Sequence, residues 1–117
     1  MASGCFYIGP PWSDEVNRAP TIEASNVNDG RIVLVNSPQQ VFLQFEDQDG
    51  DTITVRWLVD GLQVTDPSRI ILERDSDELW SAFLLISTQN VHDGSEVNCF
   101  YSDGKATLSE TMQVDIP

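Results

Sequence analysis

Three aspartates at alternating positions form the first group in this sequence that could carry out chemistry. Asp47, Asp49 and Asp51 lie in an acidic run of the chain. Carboxylate oxygens suit a hard cation, and Ca²⁺ takes about six to eight oxygen ligands. The run is not an EF-hand loop, because Thr52 stands where that loop needs glycine and Leu58 where it needs glutamate. The pattern predicts a calcium site; a solvated turn whose aspartates bond their own backbone is the alternative.

Cys5 is the second such group. The segment Ala2-Ser3-Gly4-Cys5 resembles the end of a bacterial lipoprotein signal, in which small residues precede an acylated cysteine. Ala2 departs from the usual pattern, which has leucine at that position, and neither a charged nor an apolar signal region precedes it. The resemblance implies that Cys5 is a lipidation site. A free thiol and a disulfide from Cys5 to Cys99 are the alternatives.

The segment after Cys5 is unusually apolar for a linker, which would normally be polar. Exposed apolar strips mark interaction sites, and two adjacent prolines stiffen the segment and lower the ordering cost of docking. We therefore expect four residues of this arm to bind a partner, with docking on the chain's own domain as the alternative: Phe6, Tyr7, Ile8 and Trp12.

Catalysis is not expected from the remaining polar residues. His92 is the only histidine, and Ser95 lies near it without a nucleophile elbow or a second base. Two cysteines and one histidine cannot form a closed zinc site without carboxylates. The sequence predicts a non-enzymatic protein. Trp80, together with Trp12, leaves open a glycan platform, because tryptophan rings stack on sugars.

The charge balance excludes one large class of partners. Six Lys and Arg against nineteen Asp and Glu give a net charge of −13. A nucleic-acid backbone needs several cationic contacts, so that no nucleic-acid partner is expected. The acidic chain suits cations or a basic protein surface.

Residues 1–19 and 20–117 differ in pattern. Prolines and a lack of any period predict an extended N-terminal arm over 1–19. From residue 20 onward, short segments of alternating apolar residues are separated by Asp-Gly and similar turns, which predicts one all-β domain. The expected strands are Thr21–Ala24, Arg31–Val35, Gln40–Glu46, Thr52–Asp60, Ser68–Glu73, Leu79–Ser87, Glu96–Ser102 and Thr107–Ile116.

The order of features in 20–117 resembles an immunoglobulin-like domain. Members of that family carry a buried tryptophan on the third core strand, which Trp57 matches, and a D-x-G-x-Y-x-C signature before the sixth. Here Asp93 and Cys99 match that signature, Ser95 replaces the glycine, and Val97 stands where the tyrosine would be. The first disulfide cysteine is absent. The resemblance implies an immunoglobulin-like antiparallel two-sheet sandwich whose core is filled by packing instead of a bridge.

The run from residue 46 to residue 61 is more closely similar to bacterial surface modules of the polycystic-kidney-disease-like and cadherin-like groups. It shares their D-x-D-G-D, alternating strand and W-x-x-D-G pattern. This resemblance implies a structural or protein-interaction module located in the periplasm, the outer membrane or the cell surface. The interpretation is a lipid-anchored accessory subunit of a surface assembly with protein partners; a calcium- or glycan-binding module is the alternative.

Overall fold

The computed structural model describes residues 18–117, and these residues form an all-β fold. The eight predicted strands are confirmed, each within two residues at either end. The strands are β1 (Thr21–Ser25), β2 (Arg31–Val33), β3 (Gln39–Glu46), β4 (Thr54–Val59), β5 (Leu62–Gln63), β6 (Ile70–Arg74), β7 (Leu79–Ile86), β8 (Glu96–Ser102) and β9 (Thr107–Asp115).

Two sheets face each other across the core. One sheet has the order β1-β3-β7-β6, and the other has the order β2-β9-β8-β4-β5. All neighbouring strands are antiparallel except β2 and β9, which run parallel. The first order corresponds to strands A, B, E and D of the immunoglobulin fold, and β4, β8 and β9 correspond to C, F and G. β2 and β5 extend the second sheet at its two edges.

The alternating rows read from the sequence form the core between the sheets. Val41, Leu43 and Phe45 on β3 are fully buried, and so are Ala82, Leu84 and Ile86 on β7. Trp57, 2% exposed, lies directly opposite Cys99 on β8. This placement confirms that Trp57 is a core residue. Val55 and Ile116, which also alternate with polar residues along the predicted strands, are only partly buried against this cluster.

An aromatic pair that the sequence did not reveal contributes to the same core. The rings of Phe45 and Tyr101 lie with centroids 4.5 Å apart, joining the two sheets. Aromatic pairs at this separation stabilise a core beyond the area that they bury. Packing of large side chains thus occupies the region in which the immunoglobulin fold usually carries its inter-sheet disulfide.

One short strand was missed by the sequence pattern. β5 contains only Leu62 and Gln63 and follows a tight turn in which Asp60 (φ 49°) and Gly61 (φ 83°) both adopt positive φ. Such a turn pairs the flanking strands into a hairpin. Leu62 is 76% exposed, so that no buried face marks the strand in the sequence.

Candidate functional sites

Asp47 is a buried carboxylate at the start of the β3–β4 turn. Its backbone N–H donates to the Glu78 carbonyl (2.8 Å), and its carbonyl accepts from the Gly50 N–H (3.0 Å). Its Oδ1 accepts from the Asp49 N–H at 2.9 Å. Gly50 has a φ of 71°, a conformation that glycine adopts without a steric penalty. The turn therefore fixes Asp47 with no exposed surface and leaves its Oδ2 buried without a hydrogen-bond partner.

Asp49 lies at the surface of the same turn and is held by Arg18. The Arg18 backbone N–H donates to Asp49 Oδ2 (2.7 Å), and Nη2 of its guanidinium donates to Oδ1 (2.9 Å). The Arg18 backbone bond and then its side-chain bonds lower the pKa of the Asp49 carboxyl. The first described residue of the chain is thus attached to the predicted calcium-binding turn.

Asp51 completes the acidic cluster. One carboxylate oxygen from each of Asp47, Asp49 and Asp51 lies within 4.8 Å of the others. The Oδ2 of Asp51, like that of Asp47, is buried without a hydrogen-bond partner. The fold therefore brings the three predicted residues together as one cluster. A fourth carboxylate, Asp103 in the β8–β9 turn, was not anticipated; it is buried, and its Oδ1 accepts from the Lys105 and Ala106 N–H groups.

The cluster raises the pKa of Asp47. Burial is the main cause, the Asp49 N–H opposes it, and the charges of Asp51 and Asp103 add to it. Burial and like charge both disfavour an ionised carboxylate. The surroundings of Asp47 therefore disfavour its ionised form, and a nearby positive charge would stabilise that form.

Ser95, Asp60 and His92 lie together but do not form a catalytic triad. The Ser95 hydroxyl donates to Asp60 Oδ2 at 2.9 Å and accepts from the His92 backbone N–H at 2.9 Å. The His92 ring reaches the same Asp60 oxygen only at 3.7 Å. In a triad the histidine lies between the nucleophile and the acid. Here the serine is fully buried and bonded to the acid itself, so that the three residues close the turn before β8.

Cys99 is a buried free thiol at the centre of the core. Burial, followed by the charge of Glu110, raises its pKa to about 12. A thiol with a raised pKa holds little thiolate and is unreactive. Cys99 therefore acts as a small apolar core residue in the described part of the chain.

Trp80 packs partly against the core and does not present both ring faces. The guanidinium of Arg74 lies 5.3 Å from the centre of its ring, and the ring nitrogen is buried without a hydrogen-bond partner. A glycan platform needs an open ring face and polar groups free to bond the sugar. This geometry gives no support to Trp80 as such a platform.

The outward face of the β1-β3-β7-β6 sheet carries an apolar row. Phe42 pairs across the strands with Phe83, and Phe83 pairs with Ile71, which is 45% exposed. The Phe42 and Phe83 rings lie 5.2 Å apart between centroids. Leu85 points to the same side, two residues beyond Phe83. We call these four residues the apolar row: Phe42, Ile71, Phe83 and Leu85.

An acidic group lies further along the same sheet. Glu46 extends the outward side of β3 beyond Phe42, and the charge of Glu23, followed by partial desolvation and the charge of Glu78, raises its pKa. Three carboxylates therefore crowd one end of the face whose other end is apolar. The sequence pattern showed the outward alternation but not that neighbouring strands align these residues.

The remaining predicted site residues lie outside the described residues. These are the lipidation site and the four partner-binding residues of the arm: Cys5, Phe6, Tyr7, Ile8 and Trp12. Over residues 18–117, no helix has the length and apolar character needed to cross a membrane.

Comparison with solved structures supports the architecture. Titin M4 superposes with a TM-score of 0.54 at 15% identity, over 87% of this chain and 99% of that chain. The fourth constant immunoglobulin domain of nurse shark IgNAR gives 0.58 at 13% identity, over 84% and 98%. The Dpr2 Ig1-Ig2 and DIP-Theta Ig1-Ig3 complex gives 0.63 at 12% identity, over 86% of this chain and 33% of that chain.

Comparison of the sequence with family models and with curated proteins found no match. The structural similarities at such low identity define the fold: an immunoglobulin-like antiparallel sandwich of two sheets. They confirm the predicted fold class and the immunoglobulin resemblance. The resemblance to bacterial surface modules stays a prediction.

Proposed function

We propose that this chain is a non-enzymatic protein-interaction module of a surface assembly and that the β1-β3-β7-β6 sheet binds its partner. The apolar row on the outward side of that sheet carries the proposal. Phe42 and Phe83 are outward aromatic residues on the two central strands, where large apolar side chains are not needed for the core. Aromatic anchors at the centre of a patch supply much of the binding energy in protein interfaces.

The partner inferred from this face is a protein with an apolar patch bordered by basic residues. The carboxylates of Glu23, Glu46 and Glu78 lie at one end of the row. Opposite charge across an interface steers the encounter and fixes its orientation. The net charge of −13 extends this preference to the whole chain.

The test compares three forms of the protein as baits in its native host. Phe42→Ser combined with Phe83→Ser removes both aromatic anchors from the row. We expect a partner bound by the wild type to lose at least tenfold in affinity, about 1.4 kcal/mol, measured by calorimetry with the purified partner. Binding should also weaken as salt is raised, because the rim charges are exposed.

Phe100→Ser provides the matched control. Phe100 is an outward phenylalanine of the other sheet, with the Arg56 guanidinium 5.0 Å from its ring centre. This variant should bind as the wild type does, and thermal melts should show that all three forms are folded. Equal loss in both variants, or none in either, would place the contact elsewhere. Self-association abolished only by the double variant would assign the face to a second copy of the chain.

The localisation and the anchor are proposed from the sequence. Cys5 would be acylated and hold the module at a bacterial membrane, in the periplasm, at the outer membrane or at the cell surface. The apolar arm residues after it would contact the lipid interface or a membrane-bound partner. Solved structures with the same fold include the complex of Dpr2 Ig1-Ig2 with DIP-Theta Ig1-Ig3, which illustrates the use of this fold in binding another protein.

A further inference from the structure

We propose that the β3–β4 turn is a calcium site in which Asp47, Asp49 and Asp51 are the carboxylate ligands. This inference is independent of the partner-binding face. The three residues supply carboxylate oxygens within 4.8 Å of one another. A set of oxygens at such spacing can converge on one cation at the distances of about 2.3–2.6 Å that Ca²⁺ prefers.

The buried oxygen of Asp47 is the observation that points to a ligand. Acidic turns are common, and most of their oxygens face water or bond the turn itself. Asp47 instead has no exposed surface, and its Oδ2 has no hydrogen-bond partner. A buried polar group without a partner destabilises the folded protein, and it does so more strongly when it is charged. Asp51 Oδ2 is a second buried oxygen of the same kind in the same cluster.

The electrostatics of the turn favour a cation for the same reason. The carboxylates of Asp49 and Asp51 lie close to that of buried Asp47, with one oxygen of each within 4.8 Å of the others. A divalent cation between them would attract carboxylates that otherwise repel one another. Asp103 enters as a nearby negative charge from the β8–β9 turn, with its Oδ1 already bonded to two backbone N–H groups.

The donor set favours calcium over other metals. All three ligands are carboxylates, which suits Ca²⁺ and Mg²⁺ and not the metals that prefer nitrogen or sulfur. Ca²⁺ tolerates irregular geometry and fills its coordination with backbone carbonyls and water, whereas Mg²⁺ demands a near-ideal octahedron. The three aspartates lie in the seven-residue connection between β3 and β4 and differ in burial, which fits the tolerance of Ca²⁺ better than the strict geometry of Mg²⁺.

Arg18 links the proposed calcium site to the start of the described chain, because it bonds the Asp49 carboxylate. Its guanidinium neutralises Asp49 in the cation-free protein, with Nε and Nη2 at 3.2 and 2.9 Å from Oδ1. Ca²⁺ would share or replace this interaction. Because Arg18 immediately follows the N-terminal segment, calcium binding would alter how the chain enters the domain.

The experiment measures thermal unfolding and calorimetric titration with CaCl₂, MgCl₂ and a chelator. For a millimolar dissociation constant, 10 mM CaCl₂ should raise the melting temperature by roughly 5 °C, because the cation binds only the folded state. MgCl₂ at the same concentration should have a clearly smaller effect. Asp47→Asn combined with Asp51→Asn should abolish the calcium-induced rise and the titration signal.

A matched variant distinguishes calcium binding at the proposed site from a general effect of calcium on the negative charge of the chain. Asp29→Asn combined with Asp66→Asn removes two charges from turns at the other end of the sandwich and should keep the full calcium response. The single Asp51→Asn variant repeats the test should the double variant fail to fold. Equal calcium responses in the wild type and in both ligand variants, or melting curves identical in calcium and chelator, would overturn the proposal.

Discussion

At the scale of single residues, Asp47 has opposite consequences for stability with and without a cation. Its pKa lies above the ordinary value of 3.8 because it is buried among other carboxylates. Because its pKa is raised in the folded state, the protonated Asp47 carboxyl contributes fully to the free energy of unfolding below pH 3.8. That contribution is lost as the pH rises through the folded-state pKa. In neutral solution without calcium, ionised Asp47 therefore opposes folding.

The variant Asp47→Asn tests whether ionised Asp47 destabilises the folded protein in the absence of calcium. Its amide oxygen can still accept from the Asp49 N–H, and its NH₂ group offers a donor to the carboxylates nearby. In chelator at pH 7 we expect the variant to be more stable than the wild type by about 1 kcal/mol, with the difference vanishing near pH 3.5. Urea denaturation across this pH range measures it.

Calcium should make the wild type more stable than the Asp47→Asn variant, which reverses their order of stability. At saturating calcium the wild type gains stability that the variant does not. A variant less stable than the wild type in chelator at pH 7 would show that Asp47 serves the turn as an ordinary hydrogen-bond acceptor.

At the scale of elements, the strands were largely predictable because their inward rows alternate with period two. Val41, Leu43 and Phe45 fixed the face of β3 without any knowledge of its neighbours. β5 was not predictable, because its exposed Leu62 has no buried partner to create a pattern. The turn aspartates could be grouped as a candidate site because they are neighbours in the chain.

Contacts between parts of the chain that are distant in sequence could not be predicted from the sequence pattern. Arg18 bonds Asp49 across 31 positions, and only the folded chain brings them together. The same holds for Asp103 and for the alignment of Phe42, Phe83 and Ile71 on three strands, which depends on strand register. A one-residue slip would send the apolar row inward.

Trp57 provides the test of the packing between elements. It is 2% exposed, lies opposite Cys99, and belongs to a core without an inter-sheet disulfide. Trp57→Ala should lower the free energy of unfolding by roughly 3–5 kcal/mol, because it leaves a large cavity between the sheets. Urea denaturation measures the loss, with Leu62→Ala on the exposed edge as control. A loss below about 1 kcal/mol would contradict the observed strand register.

At the scale of the whole molecule, the predicted anchor decides where the module works. We expect Cys5 to be acylated in protein isolated from the native host, and intact-protein mass spectrometry should show the added lipid mass. Cys99 is the internal control, because its buried thiol should stay unmodified. An unmodified Cys5, or a Cys5 bridged to Cys99, would rule out the anchor and leave the sandwich without a membrane tether at that position.

The parallel pairing of β2 with β9 has a mechanical consequence. The chain enters the sandwich beside the β3–β4 turn, through Arg18, and Ile116 bonds Asp93 at the opposite end. A pull between these two ends would drag β2 and β9 past each other lengthwise. Their paired residues, from Arg31 with Gln113 to Val33 with Asp115, would then share the load in shear. The three pairs would resist this tension together, whereas strands separated from one end would lose their hydrogen bonds one at a time.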